Sequence, residues 1–240
     1  LEEIHNDLGN FWDKDANNYV NDRWTGTDQA RRDSLETSKF LDTWVKPGGD
    51  LLDVGCGPGY WINSPACLWQ RSVIGFDSSA RRLNLSNYTT KVLGDANNLP
   101  FPGESFDTLI MIHVLEYLDL SNSLRSAYRV LRPGGRLVIV TKNRFGLPWR
   151  IALYLSEKIA KCPHPSNAPN LRQVRKYWPG KVLEKRYFEP RVIVNLRDVN
   201  DAVHLKLSDN LGFRIETLFA KLPFRRFLSW RVGLVLEKNN

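Results

Sequence analysis

The stretch LLDVGCGPGYW, residues 51–61, joins a short apolar run to three glycines at alternate positions, Gly55, Gly57 and Gly59. Leu51 to Val54 reads as a short buried strand. Glycine takes positive φ and lets a ligand come close to the backbone. One glycine after a strand marks a turn, whereas three in five residues predict that something lies against the main chain.

The surroundings give the loop a frame. Residues 30–45 place Leu35, Phe40, Leu41, Trp44 and Val45 near helical spacing, and KPGGD (46–50) ends that helix ahead of the first strand. Downstream, SVIGFD (72–77), TKVLGD (90–95), FDTLIMIH (106–113) and RLVIVTK (136–142) read as four further strands. Ser78 or Ser79 is a candidate cap for a helix after the second strand, and residues 121–131 read as a helix stopped by Pro133-Gly134-Gly135. Strands alternating with helices predict an α/β, Rossmann-like doubly wound sheet, mostly parallel and covered on both faces. Such sheets bind ligands beyond the carboxyl ends of their strands. Gly55–Gly59, Asp77, Asp95 and His113 all fall there.

After residue 142 the rhythm breaks. Residues 143–203 are basic and proline-containing and read as a large insertion. Residues 212–220 and 229–238 read as two strands of a terminal antiparallel hairpin. The expected division is a lid segment over 1–34, a core over 35–142, the insertion over 143–203 and a terminal unit over 204–240.

Charge and cysteine content bound the partners. The net charge is +8, but the first 140 residues carry −4 and the last hundred +12. That asymmetry fits a basic solvated surface, or contact with phosphate, nucleic acid or an anionic membrane surface. No run of about 18 apolar residues exists to make a membrane-spanning helix. The three cysteines have no metal-ligand spacing, and no metal site is expected. With no signal-peptide pattern, the expectation is a reducing, cytoplasmic compartment.

Two nucleotide-binding readings fail on the loop itself. A phosphate loop needs Lys and Ser/Thr after its last glycine, but Tyr60 and Trp61 stand there. A dinucleotide fingerprint, G-x-G-x-x-G counted from Gly55, needs glycine where Tyr60 stands. The pattern present is D-x-G-x-G-x-G, from Asp53 to Gly59.

This pattern resembles the first motif of the Rossmann-like S-adenosylmethionine-dependent methyltransferases. GDANNLPF (94–101), FDTLIMIHVLEYL (106–118) and RVLRPGGRLVIV (129–140) resemble that family's later motifs in the same order. The likeness is closest to the small-molecule and quinone group, whose fourth-strand motif often ends Leu-Glu-His; here Tyr117 replaces that His. The resemblance implies S-adenosylmethionine as cofactor, with Asp53, Gly55, Cys56, Gly57 and Gly59 around its amino-acid end. It places Asp77 and Ser78 at the ribose, Asp95 and Ala96 at the adenine, and His113 beside the methyl group.

Methyl transfer needs alignment of nucleophile, methyl and sulfur, and a base only where the nucleophile must lose a proton. His113 is the candidate base; the alternative is that its ring packs the pocket. Glu116, at i+3, is either its partner or a first-turn acid complementing a helix dipole, and the second is the expectation. Tyr19, with Trp12, belongs to the expected lid, and Trp149 opens an amphipathic helix over 147–161 that roofs the acceptor pocket or rests on a membrane. Tyr19 and Trp149 are thus the candidate acceptor contacts. The expected function is methyl transfer to a small or lipid-like acceptor. The alternatives are an RNA acceptor, suggested by cations interleaved with Tyr177, Trp178, Tyr187 and Phe188, and a non-catalytic S-adenosylmethionine-binding protein.

Overall fold

The computed structural model describes residues 28–147, 150, 168–188, 227 and 229–240. Seven strands form one sheet: β1 (Asp50–Val54), β2 (Ser72–Asp77), β3 (Thr90–Leu93), β4 (Phe106–Ile112), β5 (Leu131–Lys142), β6 (Lys181–Tyr187) and β7 (Arg231–Glu237). Their order is β3-β2-β1-β4-β5-β7-β6. The first five are parallel, and β7 runs antiparallel to both β5 and β6. The chain reverses direction across the sheet between β1 and β4. Doubly wound sheets open a crevice at such a point, beyond the carboxyl ends of the strands.

Alternate side chains of the central strands feed two cores, as the two-residue period of a strand requires. Leu52, Val54, Leu109, Met111, Leu137 and Ile139 pack on one face, beneath α4 (Leu120–Val130) and its Leu124, Ala127 and Val130. Leu51, Ile110, Ile112, Val138 and Val140 pack on the other, against Phe40, Leu41 and Trp61. Asp119 caps α4 by accepting from Asn122 N at 2.8 Å. Helix α1 (Asp28–Trp44) crosses the expected boundary at residue 34 without a break. Its Phe40 and Leu41 are buried as expected, but Leu35 is 55% exposed and lies off the packed stripe.

The terminal strand pair differs from the expectation. Residues 181–187, assigned in the sequence to a large basic insertion, form β6 and pair with β7 from Tyr187↔Val232 to Lys181↔Glu237. β5 lies on the other edge of β7, and the strand expected over 212–220 lies outside the described residues. The charged residues Lys181, Glu184, Lys185 and Arg186 in KVLEKRY mark an outer strand, where they discourage further pairing. Helix α5 (Leu171–Tyr177) precedes it behind a capping box made by Asn170 and Gln173. No described helix is long and apolar enough to cross a membrane.

Candidate functional site

The glycine loop leaves β1 as expected. Gly55, Gly57 and Gly59 have φ of 72°, 54° and 86°, and Gly55 N and Cys56 N both donate to Phe76 O, at 2.7 and 3.0 Å. Gly55 is required for a reason invisible in the motif. A Cβ there would overlap Val114 Cγ2 and stand 2.9 Å from Val114 Cγ1. Part of what lies against this loop is the protein's own turn after β4, and that turn carries His113.

Two buried carboxylates support the loop. Asp77, at the end of β2, accepts from Gly57 N and Ser79 N, each at 2.8 Å, one on each oxygen. Its side chain therefore positions the loop, using half of the roughly four acceptor directions a carboxylate has. Burial pushes its carboxyl up, against those backbone hydrogen bonds. Of the two candidate caps, Ser79 starts α3 (Ala80–Leu85), accepting from Arg82 N, while Ser78 is exposed. Asp53 is 1% exposed and accepts from the Tyr88 hydroxyl. Burial pushes its carboxyl up to about 7; the Tyr88 bond opposes the shift and the charge of Asp77 adds to it. Tyr88 reaches Asp53 by crossing Gly75, the register partner of Asp53 on β2. A Cβ at Gly75 would stand 2.7 Å from the Tyr88 ring.

Cys56 is buried beside this pair, and burial pushes its thiol up, so it stays a thiol. Asp95 is exposed, and its carboxylate accepts from Asn97 N at 2.8 Å, a local turn contact, with Ala96 buried next to it.

His113 follows β4 with φ of 57°, the left-handed region where non-glycine residues are uncommon and where functional residues cluster. Its backbone is anchored by His113 N donating to Val140 O at 2.7 Å. Its ring is 14% exposed, and Nδ1 lies 3.3 Å from Glu116 Oε1. Glu116 is 1% exposed and accepts from Thr141 Oγ1 at 2.7 Å on its other oxygen. The expectation that Glu116 merely complements a helix dipole is corrected. It sits in a short 3₁₀ turn (Leu115–Tyr117), with the side chain buried and bonded to Thr141 of β5. Burial pulls His113 down to about 4, against the Glu116 hydrogen bond and helped by the charges of Lys142 and Arg231. Burial pushes the Glu116 carboxyl up, but its bonds to His113 and Thr141 outweigh burial and hold it below the usual range. At neutral pH the pair is thus an uncharged imidazole against an ionised carboxylate. An ionised carboxylate can only accept, so the tautomer that satisfies this contact has its proton on Nδ1 and leaves Nε2 as the basic nitrogen.

The expected lid residues Trp12 and Tyr19, the acceptor candidate Trp149 and most of the 147–161 helix lie outside the described residues. Tyr88, Gly75, Val114 and Thr141 escape a motif reading. A glycine inside a strand pattern, as at Gly75, is the one local signal of a close approach. Among the described residues no cluster of His, Cys, Asp or Glu could hold a metal. A cavity of about 470 Å³ lined by Lys46, Gly48, Arg71, Asp107 and Arg132 lies at the amino ends of the strands, away from this crevice. Its arginines are already paired, Arg132 with Asp50 and Asp107 at 3.0 and 2.6 Å and Arg71 with Asp50.

The sheet order, the glycine loop and the acids at the ends of β1 and β2 define a Rossmann-like methyltransferase core. Residues 52–139 match the family described as "Methyltransferase domain", in line with the resemblance that implies S-adenosylmethionine as cofactor. The chain is 30% identical over 145 residues to the mitochondrial ubiquinone biosynthesis O-methyltransferase of Rattus norvegicus, covering 54% of this chain and 41% of that protein. It is 28% identical over 120 residues to a ubiquinone biosynthesis O-methyltransferase of Rhizobium rhizogenes, covering 46% and 48%. The chain spans less than half the length of these relatives. Among solved structures, geranyl diphosphate methyltransferase in complex with GPP and sinefungin aligns with a TM-score of 0.69 and 18% identity, over 98% of this chain and 99% of that one.

The residues present fit the cofactor. Asp53 and Asp77 are buried, and among the described residues neither has a Lys or Arg in hydrogen-bond contact. These acceptors suit an ammonium group and ribose hydroxyls, which donate.

Proposed function

We propose that this chain is an S-adenosylmethionine-dependent methyltransferase whose acceptor is a small or lipid-like molecule bearing a hydroxyl. The observation that carries the reading is the His113–Glu116–Thr141 chain beside the glycine loop. The relatives' names as O-methyltransferases, and a fold neighbour solved with GPP, support it.

When bound, the cofactor supplies an electrophilic methyl group on a sulfonium. Asp53 and the loop Gly55-Cys56-Gly57-Pro58-Gly59 would hold its amino-acid end. Asp77, through its remaining acceptor directions, and Ser78 would hold the ribose. Asp95 and the Ala96 backbone would hold the adenine. Thr141 fixes Glu116, and Glu116 fixes the His113 tautomer, so that Nε2 receives the hydroxyl proton of the acceptor. A neutral imidazole can accept this proton where a protonated ring could not, while the burial that keeps it neutral also makes Nε2 a weak base. We assign acceptor contact to Tyr19 and Trp149 and acceptor recognition to the 143–203 segment from the sequence alone.

The test is transfer of labelled methyl from S-adenosylmethionine to small-molecule, lipid and RNA fractions. Label in the organic-soluble small-molecule or lipid fraction is the expected result. Label in RNA alone would replace the acceptor class, and tight cofactor binding with no transfer to any fraction would leave a binding protein.

A further inference from the structure

The acids beneath the glycine loop form a buried network that the transfer step itself does not use. Asp53 on β1 is bonded by Tyr88, which comes from the connection between α3 and β3. Tyr88 is itself buried and fits only because position 75 lacks a side chain. The second carboxylate, Asp77, lies on the neighbouring strand two residues beyond the Gly75 partner of Asp53. Among the described residues, the other titratable groups facing this volume are the thiols of Cys56 on the loop and Cys67 on α2 (Pro65–Leu68). Two cations stand at its border. Lys91 on β3 donates to Ser86 O at 2.7 Å, and Arg82 on α3 acts on Asp77.

We propose that Asp53 releases a proton when the ammonium group of S-adenosylmethionine binds, and that Tyr88 is the positioning residue that holds Asp53 for this exchange. The proposal rests on the methyltransferase reading above. Two carboxylates close together in a buried volume, with no described cation bonded to Asp53, are costly to ionise at once. One proton therefore stays on the pair, in line with the Asp53 carboxyl being pushed up to about 7 by burial, by more than the Tyr88 bond draws it down. An arriving ammonium reverses the balance. Asp53–COOH becomes Asp53–COO⁻ facing that ammonium, and its proton leaves to solvent, so no further reactant is needed.

Below about pH 7 the ligand-free carboxyl holds a proton that the complex does not. Affinity therefore rises with pH, by up to about tenfold per pH unit, and levels off above that point. The Tyr88 hydroxyl donates to the ionised form and so sets where the levelling occurs.

Calorimetric titration tests this, run at pH 6 and pH 8 in paired buffers of different ionisation enthalpy. The probes are S-adenosylmethionine, S-adenosylhomocysteine and 5′-methylthioadenosine. The first two should release up to one proton at pH 6 and close to none at pH 8. Methylthioadenosine, which has no ammonium, should release none. Asp53→Asn should bind with an affinity that no longer changes over this range. Tyr88→Phe should lose several-fold more affinity at pH 6 than at pH 8, whereas a tyrosine that only fills space would cost the same at both. Tight S-adenosylmethionine binding with buffer-independent heats at pH 6 would overturn the proposal, as would an unchanged pH dependence in Asp53→Asn. Absence of binding by both S-adenosylmethionine and S-adenosylhomocysteine at either pH would remove the methyltransferase reading itself.

Discussion

Replacing Gly55 by alanine tests the join between the cofactor loop and the turn that carries His113. Two costs are independent. At φ of 72° an L-residue incurs the left-handed penalty of about 1–2 kcal/mol. The new Cβ would also collide with both methyl carbons of Val114, the farther of them at 2.9 Å, a degree of overpacking that costs about 1–3 kcal/mol. Gly55→Ala should therefore lose about 2–5 kcal/mol in urea denaturation. The second cost is relieved by removing the methyls, while the first is not. In Gly55→Ala/Val114→Ala about 1–3 kcal/mol should return, appearing as a coupling energy between the sites. Because Val114 follows His113 directly, the single variant should also lose more turnover than its stability explains, and the double variant should recover part of it. An unchanged denaturation midpoint for Gly55→Ala, or strictly additive single and double variants, would show that the loop and the turn are not in contact.

Three further outcomes follow from the same geometry. Asp77→Ala should weaken S-adenosylmethionine binding at least tenfold by calorimetry, because it removes charge-assisted acceptors worth about 1.5–3 kcal/mol each from Gly57 N and Ser79 N; wild-type affinity would show that the loop holds itself. His113→Ala should slow turnover by about 10²–10⁴-fold, and Glu116→Gln should slow it less, with cofactor affinity kept in both; normal turnover in His113→Ala when chemistry limits the rate would remove the base. The third concerns folding stability against pH. His113 is held at about 4 in the fold, so its contribution is lost as pH falls through its unfolded value of about 6.5 toward 4. Asp53 is held at about 7, so its contribution is present below its unfolded value and is lost as pH rises from about 4 to 7. The two oppose each other over a shared window. Asp53→Asn should therefore make the slope of stability against pH more positive than wild type by about 1.4 kcal/mol per unit between pH 4 and 6.5, and an identical slope in urea denaturation would contradict the assigned shifts.

The core was legible in the sequence because the preferences that build it are local. Leu51 to Gly59 announces a strand and a loop: apolar side chains for a two-faced strand, and glycine where φ is positive. The parallel direction of the first five strands, though not their order, was legible for a similar reason, since an apolar strand followed by a helix leaves few ways to pack. Asp77 was legible as a residue, but its commitment to Gly57 N and Ser79 N was not. The remainder lies between segments far apart in the chain, which only tertiary packing brings together. Tyr88 meets Asp53 across 35 positions, and Thr141 meets Glu116 across 25. No periodicity carries either meeting, because each depends on which strands become neighbours. The same holds for β6, whose mixed-charge sequence has no strong strand signal and which becomes a strand because β7 offers it an edge. Hydrogen-bond satisfaction of an exposed edge and burial of a carboxylate are properties of the assembled sheet, and they fixed the parts of the site that the motif left open.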